Sequence, residues 1–500
     1  MNYQESSPRV LLTPICERGV GSEVTCEYVL PDYEEEIRRL LRVNATVVPP
    51  LCYVGAGNAS FSGAVRFDLL YLSPEGKLCT VRLTESYELS APLEKDAEVD
   101  YSDEIPVFCD VWSEGVSGRV LAPRKLSLRC RLRGRVRAYG RAALGESLTG
   151  DFSPEGLERL GGEAEAAVFA RAVSEDFGVT GELEAGHAGE PHIIGGEGTV
   201  HITQVQCEDG GVLCRGEVLL RVPVSCGEGE PDLLSASLPF AERVEGEGFR
   251  SGMSARAFGA VSELSLEPTD GKIAADATVR LVVEAQENVS VPYTRDLYST
   301  TRETETAYGV RRYPHAALCR HGSFTQSLYE PLEKYGLEAD TRVLDLSASA
   351  VAENVLCDRG RFALVGESRL NLLVHTGGEY RCVDIPVPFR YEFEGTCGEI
   401  ESFFAELHMT GGRARVEGAK LALECEMGVS LRVCLAHEAH MLREACFGAR
   451  VQEGEDSVVC FPRGGDTLWE IAKRYHAPTA RLRAQVKDEN SLPSYLIVKG

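Results

Sequence analysis

Three stretches of the chain alternate apolar residues with others at a strict period of two over about ten positions, the signature of a strand with one buried face. In KLSLRCRLRGRV, starting at Lys125, the apolar face holds Leu126, Leu128, Cys130, Leu132 and Val136. In KIAADATVRLVV, from Lys272, it holds Ile273, Ala275, Ala277, Val279, Leu281 and Val283. In KLALECEMGVSLRV, from Lys420, it holds Leu421, Leu423, Cys425, Met427, Val429, Leu431 and Val433. Their starts are 147 and 148 residues apart. A second landmark keeps nearly the same period: FSGAVRFDLLYL (from Phe61), CRGEVLLRVPV (from Cys214) and LVGESRLNLLV (from Leu364) align on Gly63, Gly216 and Gly366, spaced by 153 and 150. Two independent landmarks therefore define three copies of one unit. Further strands are predicted at Ala64 to Leu72, Thr80 to Leu89, Glu217 to Val224 and Arg369 to Val374. The expected fold is mainly β, with three tandem antiparallel sandwich-like modules.

Near the carboxy terminus the period changes from two to helical. In GDTLWEIAKRY (Gly465 to Tyr475), Leu468, Ile471, Ala472 and Tyr475 share one helix face. Thr467 and Glu470 have the spacing of a capping box, which marks the helix start. Pro478 and Thr479 open a second short helix with Leu482 and Val486 inward, and Val458 to Phe461 and Tyr495 to Val498 supply flanking strands. The order is β-α-α-β.

These signals divide the chain into a lead-in and first β-module (1–145), a Gly/Glu-rich linker (146–195), a second module (196–292), a connector (293–342), a third module (343–448) and the terminal module (457–500). The linker assignment rests on stretches such as EAGHAGEPHIIGGEG, which are poor in long apolar runs.

At 500 residues, 43% hydrophobic and 26% charged, the chain belongs with multi-core globular proteins. A net charge of −25 argues against nucleic acid or anionic lipid as a general partner. No run approaches about 18 apolar residues, so no spanning helix is expected. The first residues, MNYQESSPRVLLTPICERG, lack the features of a signal peptide, and a cytoplasmic location is expected. The seventeen cysteines include no CxxC pair, which points to reduced, buried thiols and no zinc site of the common kinds.

Candidate chemistry is sparse. His437, Glu438 and His440 have the wrong spacing for a zincin helix. Gly55, Ala56, Gly57 and Asn58 read as a hairpin turn and not as a phosphate cradle, since no P-loop lysine follows. No nucleophile elbow occurs, and neither a catalytic group nor a cofactor is expected. One constellation stands out: Arg129, Arg131, Arg133, Arg135 and Arg137 lie on the outer face of the first landmark strand. Such a row either pairs with carboxylates on neighbouring strands or offers an acidic partner or anion a ladder of guanidinium groups about 7 Å apart.

The terminal segment resembles a LysM domain, with GDTLWEIAKRY matching that family's first loop and helix. The resemblance implies an N-acetylglucosamine-binding or protein-docking groove at Gly465, Asp466, Thr467, Leu468 and Trp469, completed by Pro493 and Tyr495 after the second helix. Where the family has an asparagine this chain has Val486, and Leu492 to Tyr495 replaces the usual turn. The three β-modules resemble SPOCS domains of endospore-forming Firmicutes, on LPDYEEEIRRLLRVNATV (Leu30 to Val47), the Gly63 strand, APRKLSLRC (Ala122 to Cys130) and RDLYSTTRETE (Arg295 to Glu305). Three such modules with one terminal LysM resemble clostridial spore-coat morphogenetic proteins. That implies a mother-cell scaffold that works with the SpoIVA-like coat-basement ATPase at the forespore surface; peptidoglycan of the spore cortex or wall is the alternative partner. The terminal module carries seven Lys and Arg against four Asp and Glu on an otherwise acidic chain, which suits an acidic partner. Trp469 falls off the inward helix face and is expected to be a partly exposed anchor.

Overall fold

The structure is a computed structural model that describes residues 9–55, 57–94, 99–100, 105–144, 147–150, 156–184, 192–225, 232–269, 271–395, 399–451, 458–486 and 492–499. It is mainly β, in several antiparallel sheets. The principal strands come in three sets of six. The first set is β1 (Arg9–Val29), β2 (Arg39–Gly55), β3 (Asn58–Leu72), β4 (Leu78–Pro92), β5 (Val107–Ala122) and β6 (Lys125–Leu144). The second is β7 (Leu157–Glu184), β8 (Glu197–Glu208), β9 (Gly211–Ser225), β10 (Asp232–Glu245), β11 (Ser254–Thr269) and β12 (Lys272–Ser299). The third is β13 (Arg302–Pro331), β14 (Arg342–Asp358), β15 (Arg361–Thr376), β16 (Glu379–Glu394), β17 (Glu399–Glu417) and β18 (Lys420–Arg450).

Each set repeats one topology. The landmark strands β6, β12 and β18 are each flanked antiparallel by the first and fifth strands of their set, and the second, third and fourth strands form a separate sheet. The alternation explains how the two sheets meet. Leu126, Leu128, Cys130 and Leu132 of β6 share a core with Phe61, Val65, Phe67 and Leu69 of β3. Ile273, Ala275, Ala277 and Val279 of β12 meet Cys214, Val218, Leu220 and Val222 of β9. In the third set Leu421, Leu423 and Cys425 meet Leu370 and Leu372, while Val429, Leu431 and Val433 meet Phe362 and Leu364.

The landmark glycines share one local geometry. Gly63, Gly216 and Gly366 pair with Tyr87, Phe240 and Phe389 on one side. On the other side the neighbouring strand breaks register close by, at Val48/Leu51, Ile202/Gln204 and Ala352/Asn354. A Cβ on Gly366 would lie 2.1 Å from the Val351 carbonyl oxygen, and one on Gly216 2.3 Å from that of His201. The bulge brings a backbone against the glycine and the aromatic ring covers the gap, so the third strand tolerates no side chain there.

Two expectations are corrected. The stretch read as a Gly/Glu-rich linker holds β7, a 28-residue strand hydrogen-bonded along β12. The stretch read as a connector holds all of β13, a 30-residue strand paired with β18. The first half of β7 buries short side chains, Ala164, Ala166, Ala167 and Ala170, and only further along do Val179 and Leu183 join the core of the second set, so no long apolar run marks the strand in sequence. The link between the first and second sets also adds Ser147–Gly150, parallel to Glu444–Phe447 of β18. Cys357 is disulfide-bonded, which corrects the expectation of uniformly reduced thiols; Cys16, Cys130, Cys214, Cys425 and Cys434 are free and buried.

The chain ends in a two-stranded sheet, β19 (Val458–Cys460) with β20 (Leu496–Lys499), and two short helices, α1 (Leu468–Arg474) and α2 (Thr479–Arg483). Leu468, Ile471, Ala472, Leu482, Leu496 and Val498 form its core. Thr467 Oγ1 accepts from the Glu470 amide at 3.2 Å and Glu470 returns the bond to the Thr467 amide at 2.9 Å, so the capping box is present.

Candidate functional site

The arginine row runs from solvent into the middle of the molecule. Arg129, Arg131 and Arg133 are exposed, Arg135 is half-buried and Arg137 is buried. Arg129 pairs with Glu23 of β1 at 2.5 Å and Arg133 with Glu114 of β5 at 2.9 Å. Arg135 reaches the Phe403 carbonyl of β17 at 3.4 Å. The row is therefore not a continuous cationic face; two of its outer members are neutralised across the strand pair, and its last member serves a different purpose.

Arg137 opens onto a buried junction of the three sets, which sequence reasoning missed. Its Nη2 donates to Asp110 Oδ2 at 2.8 Å, and Arg256 Nη2 of the second set donates to Asp110 Oδ1 at 2.6 Å. Arg256 also binds Glu284 through Nη2 at 2.8 Å and Nε at 3.1 Å. Arg432 of the third set donates to the same Glu284 oxygen and lies 3.8 Å from Asp110. Exposure of these five side chains is 5% or less. The Arg256 guanidinium lies 4.5 Å from the Phe258 ring centroid and 4.1 Å from that of Phe404, while Arg137 and Arg432 flank the Phe108 ring. Burial pushes the Glu284 carboxyl up, against the pull of Arg256.

The repeat generates this cluster. Arg137, Glu284 and Arg432 occupy one position of the landmark strand, at the spacings of Lys125, Lys272 and Lys420. Their strand partners are Phe108, Arg256 and Phe404. Two residues further on the partner strands stand Asp110, Phe258 and Glu406. One position thus carries Arg, Glu and Arg, the next Phe, Arg and Phe, the third Asp, Phe and Glu. The backbones are equivalent but the charges are not, and an unpaired charge in the interior costs several kcal/mol, roughly.

A second ionic contact ties the smaller sheets together. Arg42 of β2 donates to Asp345 of β14 at 2.8 Å, and Arg221 of β9 binds the other oxygen of that carboxylate. Fully buried Arg66 reaches the Val261 carbonyl, and Arg82 joins Asp68 at 2.6 Å and the Gly196 carbonyl. A cleft of about 290 Å³ lined by Arg42, Arg82 and Arg221 holds Asp68 and Asp345 against those arginines.

Between the second and third sets lie three histidines. His201 Nδ1 and His408 Nε2 are 2.9 Å apart. Burial, reinforced by His201 and His321, pushes His408 down to about 3; burial, with Arg256 and His201, pushes His321 down to about 4. Burial lowers His201 as well. Burial drives half-buried Glu406 up to about 8. Among the described residues no group of three His, Cys, Asp or Glu side chains is arranged to hold a metal ion. His437, Glu438 and His440 lie along β18, with Glu438 and His440 exposed.

The residues expected to form the terminal groove do not act together. Gly465 is exposed at φ 96°, Asp466 accepts from the Arg463 amide and from Arg474, Thr467 caps α1 and Leu468 is core. Pro493 is half-buried and Tyr495 exposed. Trp469, expected as a partly exposed anchor, is half-buried and faces the chain's own body. Its Nε1 donates to Asp296 Oδ2 at 2.7 Å and its ring meets Tyr298 edge-on at 5.0 Å. Lys473 Nζ donates to the other Asp296 oxygen at 2.7 Å and to Tyr308 at 2.9 Å, and Tyr308 also donates to Asp296 at 2.6 Å. Burial works against the Asp296 charge, but the bonds from Lys473, Trp469 and Tyr308 outweigh it and hold the carboxyl below its ordinary range. Tyr298 donates to the Ala477 carbonyl at 2.6 Å and Thr479 to Glu158 at 2.6 Å. The docking partners come from the end of β12 and the starts of β7 and β13, the elements sequence reading had placed in linkers or at their edges.

No family model, no curated protein and no solved structure matches this chain.

Proposed function

We propose that the protein is a non-enzymatic scaffold: three tandem sandwich-like modules of the SPOCS type form a rigid platform, and a LysM-type terminal module docks a partner. The resemblance to the clostridial spore-coat morphogenetic protein SipL gives the setting, the mother-cell cytoplasm at the forespore surface, and the partner, a SpoIVA-like coat-basement ATPase. The observation that carries the reading is the contrast between two kinds of attachment. The three sheet sets share buried charges and cannot separate without exposing them, whereas the terminal unit builds its core from its own residues with Tyr298 of β12 inserted, and is held by a few side chains around Asp296. A platform with one appended, basic module suits assembly better than turnover.

The test compares two ligands. Purified full-length protein is expected to retain a SpoIVA-type ATPase and to leave purified peptidoglycan in the supernatant after pelleting. Retention on peptidoglycan without ATPase binding would transfer the protein to the cell-wall or cortex class.

A further inference from the structure

The terminal unit has two faces, and its own body covers one. Trp469, Lys473 and Thr479 are engaged by Asp296, Tyr298, Tyr308 and Glu158. The outer face of the β19–β20 sheet is bare. Val459 pairs with Ile497, and Phe461 and Tyr495 flank the sheet, the residue after Cys460 and the residue before Leu496. Their exposures are 45%, 41%, 72% and 55%, while Cys460, Leu496 and Val498, of opposite parity, are buried in the core. Four large apolar side chains in and beside so small a sheet form a patch that burial within this chain does not account for.

Charge narrows the occupant. The unit is net +3, from seven Lys and Arg against four Asp and Glu. Arg463, two residues beyond Phe461, and Arg474 are exposed. The acidic side chain nearest in sequence, Asp466, is already taken by the Arg463 amide and Arg474. The exposed apolar residues thus belong to a unit of net positive charge. We propose that Val459, Phe461, Tyr495 and Ile497 form the docking surface of the terminal unit and that it takes an acidic protein segment carrying aromatic or aliphatic side chains, with Phe461 and Tyr495 as the anchors. This rests on the reading of the terminal unit as a docking module, and it moves the docking away from Trp469.

The probe is a random copolymer of glutamate and tyrosine, added to the full-length protein, with polyglutamate and anionic phospholipid vesicles in parallel. Binding of the copolymer is expected to exceed that of polyglutamate and to weaken with salt. It should fall by about tenfold in Phe461→Asp and in Tyr495→Ser, and stay unchanged in Val29→Ser, an exposed apolar residue elsewhere. Unchanged Trp469 emission in the variants shows that the unit is still folded and docked. Absence of copolymer binding, equal binding by both anchor variants, preference for the vesicles, or self-association that Phe461→Asp abolishes without copolymer binding would each overturn the proposal. Copolymer binding through the patch without ATPase binding would defeat the functional reading and leave the surface standing; ATPase binding undiminished by Phe461→Asp would do the reverse.

Discussion

Arg256 of the second strand set and Asp110 of the first, 146 residues apart, meet at 2.6 Å with both side chains out of reach of solvent. Asp110 also holds Arg137, so a single carboxylate neutralises two buried guanidinium groups from different sets. Asp110→Asn removes that charge with almost no change of volume and is expected to destabilise the protein by about 3–5 kcal/mol. Arg133→Ala, which breaks the exposed pair with Glu114, should cost about 0–1 kcal/mol. Urea unfolding of the two variants checks the contrast; similar midpoints would mean that the junction is open to water.

The landmark glycines make a second prediction. At Gly366 an added Cβ meets a backbone carbonyl at 2.1 Å, and carbonyls of a paired strand do not yield as side chains do. Gly366→Ala should therefore destabilise by roughly 1–3 kcal/mol, the range of an overpacked core site. Gly464→Ala, where nothing lies within 4 Å, should be silent. Melting temperatures distinguish the two.

What could be read from sequence follows from where each signal comes from. The landmark strands were legible because one face of Leu126 to Val136 is buried along its length by its own set. The opposite face was not, because it changes environment along the strand: Arg129 meets solvent, whereas Arg137 shares Asp110 with Arg256 and Arg432, 119 and 295 positions further along, which no local pattern encodes. Applying the repeat spacing to charged as well as apolar positions would have found Arg137, Glu284 and Arg432 as one site. The strand at β7 is hidden because Gly, Ala and Glu interrupt its larger apolar residues. Trp469 was rightly placed off the helix core, but its partner Asp296 lies 173 residues earlier.

Asp296 holds the terminal unit in place. Asp296→Ala strips the acceptor from Trp469 and Lys473 together and should weaken docking by about 1.5–3 kcal/mol, the worth of hydrogen bonds to a charged group. With Trp112 as the chain's other tryptophan, the double variant Asp296→Ala, Trp112→Phe isolates the Trp469 signal. Its emission should shift to longer wavelength as the ring leaves Tyr298. The midpoint of the main unfolding transition should remain, because the three sheet cores do not depend on this contact. An unshifted spectrum would show that the Tyr298 and Thr479 contacts suffice.

The histidine junction and Glu406 set the pH range of stability from opposite sides. His201, His408 and His321 have folded pKa values below the unfolded 6.5, to about 3 for His408 and about 4 for His321. The unfolded chain therefore binds more protons between those values, and stability falls as pH drops below about 6.5. Charging them would add positive charge beside Arg256, which already lacks a partner for Nη1. Glu406 acts in the other direction: its folded pKa is raised from 4.5 to about 8, so its contribution is complete below 4.5 and is lost as pH rises through 8. Each group contributes at most about 1.4 kcal/mol per pH unit within its window. Melting temperature measured from pH 4 to 9 should fall at both ends. His321→Gln with His408→Gln should flatten the acid limb alone, and Glu406→Gln should remove the decline between about 6.5 and 8 alone. An acid limb unchanged in the double histidine variant would place its cause elsewhere, in the paired carboxylate Asp296.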